Sequence, residues 1–358
     1  MPGQRKTGGS SPDQPFDIDG QDAYIGASIG ITVFPDDAMN CEEVLRNADL
    51  ALSYGKNDDR GNYRFFVTQM HDDIQRRRSI EEDMRGGLER GEFGLHYQPK
   101  LDIRTNRITG MEALVRWNHP EQGFMSPAEL IPVAERSKLI IPLGEWVLRE
   151  ACLKNKAWTD AGLGPVKVAV NLSAVQFHQE GLVDMVKQTL TDTGLDPSQL
   201  ELEITESLAM RDAESSIELC AKLAVFGVSL SIDDFGTGYS SLSYLKKFPV
   251  QRIKIDKAFV DDIDDEKNSG AIARAVTTLG HSFGMEITAE GVETEQQLGF
   301  LRVLGCDEIQ GYYFPRPLPD GAFEEFLKNF EDTCGLRLTQ ERRQGIDRRA
   351  LQEAQFSS

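Results

Sequence analysis

From Val228 to Asp233, apolar Val228, Leu230 and Ile232 alternate with small polar Ser229 and Ser231, and this period of two predicts a strand with two different faces. The pattern recurs at Leu95 to Leu101, Ile108 to Trp117, Val166 to Leu172, Leu200 to Thr205, Arg252 to Asp256, Met285 to Glu290 and Glu308 to Phe314. Between these runs, helical spacing of apolar residues predicts helices over Leu143 to Trp158, Leu182 to Thr193, Ser215 to Phe226, Ala271 to Phe283 and Glu295 to Leu304. Strands and helices alternate as far as about Leu327, the rhythm of βα units building a parallel sheet. Eight such strands predict an α/β fold of the (β/α)8, TIM-like type, with an open doubly wound sheet as the alternative architecture.

The rest of the chain is organised around that barrel, expected over residues 91–333. Residues 1–20 are rich in Gly, Ser, Pro, Gln and charge and read as a disordered lead-in. Residues 21–66 form a small α/β segment, with a strand pattern from Tyr24 to Phe34, helical periodicity from Cys41 to Gly55 and a short strand from Tyr63 to Phe66. That is too little to bury a core of its own. In the charge-rich stretch 67–90, Ile74, Ile80, Met84 and Leu88 lie at near-helical spacing and predict a connecting helix. Residues 334–358 are polar, carry the arginine pairs Arg342-Arg343 and Arg348-Arg349, and read as a solvated tail.

Alternation also sorts side chains by face. Val168, Val170, Leu202, Ile204, Ile253 and Ile255 share the apolar face, which in a barrel meets the helices, so their polar neighbours point inward. Glu112, Asn171, Glu203, Asp233, Lys254, Glu290 and Gln310 then converge at the mouth formed by the C-terminal strand ends. Arg252 shares the parity of Lys254 but lies deeper, where an unpaired guanidinium is too costly; it is expected to contact Glu201 or Glu286.

Charge and composition narrow the chemistry. The formal net charge of -19 argues against a polymeric nucleic acid as partner, because its phosphates would be repelled. No segment reaches membrane-spanning length and no signal-peptide pattern opens the chain. Cys41, Cys152, Cys220, Cys306 and Cys334 are odd in number and scattered, which points to neither a disulfide framework nor a zinc site and fits a cytoplasmic location. Carboxylate and amide oxygens suit hard cations such as Mg2+ or Mn2+. A shared carboxylate can bridge two ions ~3.5–4 Å apart and so clamp both oxygens of a phosphodiester. Lys254 among the acids is either a counter-charge or a group that positions water and stabilises charge at phosphorus.

Two stretches resemble known families. Ala27-Ser28-Ile29-Gly30-Ile31, Ala48-Asp49-Leu50-Ala51-Leu52 and Gly61-Asn62-Tyr63 resemble the C-terminal part of a diguanylate cyclase (GGDEF) domain, without its catalytic signature: Gly8-Gly9 is followed by Ser10-Ser11 rather than by acids. Residues 21–66 are therefore expected to be an inactive remnant of such a domain. Met111-Glu112-Ala113-Leu114-Val115-Arg116-Trp117, Asn171-Leu172-Ser173, Glu203-Ile204-Thr205-Glu206, the run from Asp233 to Leu242, Lys254-Ile255-Asp256, Ala289-Glu290-Gly291-Val292-Glu293 and Gln310-Gly311-Tyr312 resemble the EAL family of cyclic di-GMP phosphodiesterases. The resemblance covers about Leu95 to Pro319, with every motif in order.

It implies an enzyme that opens cyclic di-GMP to linear pGpG and works as a homodimer through the barrel. It implies that Glu112, Asn171, Glu203 and Asp233 hold one Mg2+ or Mn2+ ion, while Asp233, Asp234 and Glu290 surround a second. Lys254 and Glu290 would orient the attacking water, Glu206 would brace the Phe235-to-Leu242 loop, and Glu293 would support the set from behind. Gln98, Glu112, Leu114, Arg116 and Gln310 would line the substrate. A non-hydrolytic cyclic di-GMP receptor is the alternative. A retaining glycosidase barrel would match Glu203 or Glu206 with Glu290, but leaves Asn171, Asp233, Asp234 and Lys254 unexplained. A dinucleotide-binding reading of Gly236-x-Gly238-x-x-Ser241 is weaker still, since Asp233 and Asp234 would face the pyrophosphate.

Overall fold

The computed structural model describes residues 28–58, 63–238, 242–264 and 270–330, with two short strands at Phe16–Ile18 and Gln21–Ala23. The tail expected at 334–358 and most of the lead-in lie outside the described residues. Phe16–Ile18 and Gln21–Ala23 pair antiparallel, which corrects the expectation that residues up to 20 are without structure. The chain divides into two compact units, 1–83 and 84–358, and the division falls within the helix Gln69–Gly87.

In the first unit, strands Ile29–Ile31 and Tyr63–Phe65 pair in parallel beside the helix Cys41–Asp58. Gly30 explains the close packing: a Cβ there would lie 2.0 Å from the carbonyl oxygen of Ala48 and 2.5 Å from the amide of Leu52. Asn40 starts the helix by accepting from the amide of Glu43. The core of this unit is small, Ala51, Phe66 and Met70 with Leu50 and Tyr54 packed against it.

The second unit is a closed barrel of eight strands: β1 Phe93–Asp102, β2 Ile108–His119, β3 Lys167–Asn171, β4 Leu200–Thr205, β5 Ser229–Phe235, β6 Arg252–Ile255, β7 Glu286–Ala289 and β8 Glu308–Ile309. Closure by β1 against both β2 and β8 rules out the open sheet. From β2 to β8 every neighbouring pair is parallel, but β1 runs antiparallel to both of its partners. This corrects the all-parallel expectation, and its cause is local. Asp102 accepts from the amides of Arg104 and Thr105, and Asn106 takes φ 53°, so residues 103–107 make a turn too short for a parallel crossover. The register still sets Gln98 opposite Glu112.

Apolar side chains fill the space between strands and helices; Val168, Leu202, Ile204, Ile253, Ile255 and Ile287 are fully buried. The barrel interior is instead charged. Arg252 donates to Glu201 at 2.8 Å, Glu286 at 2.5 Å and Glu308 at 2.9 Å, so it meets both expected acids and a third. Lys100, buried, donates to Glu201 at 2.7 Å and Glu203 at 2.6 Å. Burial raises the Glu201 carboxyl, yet Lys100 and Arg252 outweigh it and hold the group down to about 2. Among the described residues no helix is long and apolar enough to cross a membrane.

Breaking the interior network leaves an uncompensated charge, so Glu201→Ala should cost about 3–5 kcal/mol in denaturant unfolding at neutral pH. Lys154→Ala, which removes the exposed pair with Asp320, should cost less than about 1 kcal/mol. The Glu201 pKa falls from 4.5 to about 2 on folding, so its contribution is complete above pH 4.5 and is lost as pH falls toward 2. The stability gap between wild type and Glu201→Gln should narrow over that range; a constant gap would contradict the ion-pair assignment.

Candidate functional site

At the C-terminal mouth of the barrel a cavity of about 310 Å³ is lined by Gln98, Glu112, Leu114, Asn171, Asp233, Glu290 and Gln310, and its rim by Lys257, Glu293 and Tyr312. Strand parity delivers the inner set. Below it Lys254 is buried, with its ammonium 2.6 Å from Glu203, 2.6 Å from Glu290, 3.1 Å from Asp233 and 3.8 Å from Glu112. Burial opposes its charge, but Asp233, Glu112, Glu203 and Glu290 outweigh the loss of solvent and hold its pKa well above the ordinary lysine value.

Asp233 and Asp234 are neighbours on β5, and simple alternation would send them to opposite faces. Three residues of β5, Asp233 to Phe235, are matched by only Lys254 and Ile255 on β6, so the strand bulges here. Asp234 takes φ 54°, a left-handed conformation that aspartate tolerates better than most residues. The result is that carboxylate oxygens of Asp233, Asp234 and Glu290 lie within 4.8 Å of one another. Burial, then Asp233 and Asp256 beside it, push the Asp234 carboxyl up to about 6. Burial also pushes Glu290 up to about 8, with Lys254 opposing and Asp233 and Glu112 adding to the rise.

Amides fix the neighbouring groups. Asn171 donates to Glu112 Oε1 at 2.6 Å, and Gln310 donates to Glu112 Oε2 at 2.6 Å and to Gln98 at 3.0 Å. Glu203 lies beneath this layer with Oε1 held by Lys100 and Oε2 by Lys254, and it does not line the cavity. Glu206, the first residue of the helix Glu206–Arg211, accepts from the amide of Gly236 at 2.7 Å. A Cβ on Gly238 would lie 3.0 Å from the same carboxylate, so the glycines let the loop wrap around it. Glu293 receives Lys257 at 2.6 Å, and its amide donates to Gln297. Arg116 donates to the carbonyl of Val115, has Glu112 and Tyr312 near enough to act on its charge, and lines a second cavity of about 210 Å³ with His96, Trp146 and Glu150.

Residue patterns missed four participants. Lys100 has the parity of Gln98, two residues earlier on the same strand, which was a usable signal. Asp256, on the helix-capping turn after β6, reaches Asp234, and Lys257 follows it at the rim. Tyr312, half exposed, carries the guanidinium of Arg316 4.7 Å from its ring centroid. An all-oxygen cluster of closely spaced carboxylates, one of them also facing an amide-held glutamate, fits a hard divalent cation.

A parallel barrel with one reversed strand and this ordered set of acids, amides and lysine has a family counterpart. The EAL domain profile matches residues 81–317, and the chain belongs to the EAL-domain family. It is 44% identical over 306 residues to the bifunctional diguanylate cyclase/cyclic di-GMP phosphodiesterase MucR of Pseudomonas aeruginosa, covering 86% of this chain and 45% of that protein. It is 42% identical over 317 residues to the cyclic di-GMP phosphodiesterase NbdA of the same organism, covering 88% and 40%. The chain thus spans less than half the length of these two relatives. Among solved structures, the MucR phosphodiesterase in complex with c-di-GMP is 46% identical, covers 68% of this chain and 99% of that one, and superposes with a TM-score of 0.67.

Glu206 touches loop backbone, whereas Asp233 lies in the carboxylate cluster. Asp233→Asn should therefore abolish tight Mn2+ binding in calorimetric titration. Glu206→Ala should keep at least one ion site while speeding hydrogen exchange at the Gly236 amide. Equal loss of Mn2+ from both variants would put Glu206 among the ion ligands instead.

Proposed function

We propose that this chain is a metal-dependent phosphodiesterase that opens cyclic di-GMP to linear pGpG by attack of water at one phosphodiester. The observation that carries this reading is the cluster of Asp233, Asp234 and Glu290 above the buried Lys254 at the barrel mouth. The names of the MucR and NbdA relatives and the c-di-GMP complex of MucR support the same substrate. Glu112, Asn171, Glu203 and Asp233 would hold one Mg2+ or Mn2+ ion and Asp233, Asp234 and Glu290 a second, which together would polarise the phosphodiester and activate water. For Glu203 to join the first set, Lys254 must release its Oε2.

The chain's own side chains do the rest. Lys254 stays protonated and brings a fixed positive charge to the developing charge at phosphorus. It engages Oε1 of Glu290, and the two groups together would orient the attacking water. Asn171 and Gln310 donate to Glu112 and hold it in place, Gln98 accepts from Gln310, Leu114 gives the substrate an apolar wall, and Arg116 would contact the substrate. Glu206 keeps the 236–238 loop, and with it Asp234, in register.

Residues 21–66 are read as the C-terminal part of a diguanylate cyclase fold, with no cyclase activity of their own; the parallel pair with its packed helix supports this. The working unit is a homodimer through the barrel. A cytoplasmic location accords with the unpaired thiols of Cys152, Cys220 and Cys306.

Purified protein should convert cyclic di-GMP to pGpG with Mg2+ or Mn2+, lose turnover in EDTA, and make no cyclic di-GMP from GTP, as followed by nucleotide chromatography. Lys254→Met should lower the rate by ~10²–10³-fold. Tight binding of cyclic di-GMP with no turnover under any metal would move the protein to the receptor class, and a rate indifferent to EDTA would remove the ions from the mechanism.

A further inference from the structure

A cyclic dinucleotide carries two phosphodiesters, and only one can lie at the reacting acids. The other needs a cation elsewhere, in a pocket whose walls carry Glu112, Asp233, Glu290 and Glu293. Lys254 does not serve, since it is buried and committed to the carboxylates around it. Among the described residues that line the pocket, Lys257 is the one cation, and its side chain is about half exposed.

Its position is built by the backbone around it. Strand β6 ends at Ile255, and Asp256 caps the helix Lys257–Asp261 by accepting from the amide of Ala258 at 2.8 Å. Lys257 is therefore the first helical residue, three positions beyond Lys254 and at the rim above it. Facing it is Gly291, next in sequence to Glu290, with φ 69°. A Cβ at position 291 would lie 2.3 Å from Cγ of Lys257 and 2.7 Å from its Cβ and Cδ. The stem of Lys257 thus lies against bare backbone beside a reacting carboxylate, a path that any side chain at 291 would block. The ammonium ends 2.6 Å from Glu293 and 3.4 Å from Asp261. Such half-exposed pairs are weak and readily exchanged.

We propose that Lys257 is a positioning residue that binds the second, non-reacting phosphodiester of a cyclic dinucleotide, exchanging Glu293 for phosphate as the substrate enters. The proposal rests on the phosphodiesterase reading above. Glu293 keeps the ammonium at the pocket edge until then, and the glycine holds the stem, so that only the tip of the side chain moves. A charge-assisted hydrogen bond to phosphate then fixes the ring of the substrate at a second point.

The test compares cyclic di-GMP with bis(p-nitrophenyl) phosphate, which has one phosphodiester and no second. Lys257→Met should raise KM for cyclic di-GMP about tenfold with kcat changed less than about threefold. The single diester should feel a clearly smaller effect. Lys257→Arg should restore most of the affinity, and added salt should weaken binding of cyclic di-GMP more in wild type than in Lys257→Met. Gly291→Ala, which displaces the stem but keeps the charge, should raise KM in the same direction. Equal changes for both substrates, or a fall in kcat with KM unmoved, would overturn the assignment. Calorimetric titration of cyclic di-GMP separates the two readings. If wild type turns over neither substrate, the phosphodiesterase reading falls, while a tenfold weaker Kd in Lys257→Met still upholds the phosphate contact and an unchanged Kd overturns it.

Discussion

One lysine among carboxylates governs the barrel mouth. Glu112, Glu203, Asp233 and Glu290 all approach Lys254 within 3.8 Å, and burying so many acids together without a cation among them would be costly. Charge is distributed with depth. Lower in the barrel, Lys100 and Arg252 bind Glu201, Glu203, Glu308 and the more exposed Glu286, so that every one of these acids meets a cation. Toward the mouth the acids outnumber the one lysine, and Asp234 adds to the surplus. The deep acids are thus each paired with a cation, and the larger negative surplus is left at the mouth.

Holding that surplus requires departures from regular structure. The bulge in β5 and the left-handed Asp234 bring two sequential carboxylates to one place, which a flat strand would not do. Glu206 then supports the chain just beyond, through the amide of Gly236. On the other side of the mouth, Gly311 lets the last barrel segment cross the turn after β7; a Cβ there would lie 2.2 Å from the backbone of Val292. That crossing seats Gln310 against Glu112 while Tyr312 stands at the rim.

Much of this was legible in the residues. Period-two alternation separated Glu203 from Ile204 and Lys254 from Ile255, and the same parity placed Arg252 beside acids on neighbouring strands. Parity fails where the backbone is irregular. It could not bring Asp234 to Asp233, and only the family resemblance put them together. The eighth strand is cut to Glu308–Ile309 by the crossing at Gly311, although its apolar run continues to Phe314. The reversed β1 was written in the short Asp102-to-Arg107 turn, but the rhythm of later βα units masked it. Lys100 lies within the predicted strand Leu95 to Leu101 on the parity of Gln98, and its long stem carries the ammonium to the interior acids.

If the mouth is a charge surplus that divalent ions complete, then removing its internal cation must deepen the surplus. Thermal unfolding of wild type and Lys254→Met, each with and without Mn2+, measures this directly through the rise in Tm that the ion produces. The account predicts a lower Tm for Lys254→Met without metal and a larger Mn2+-induced rise than in wild type. A rise equal to or smaller than that of wild type would contradict it.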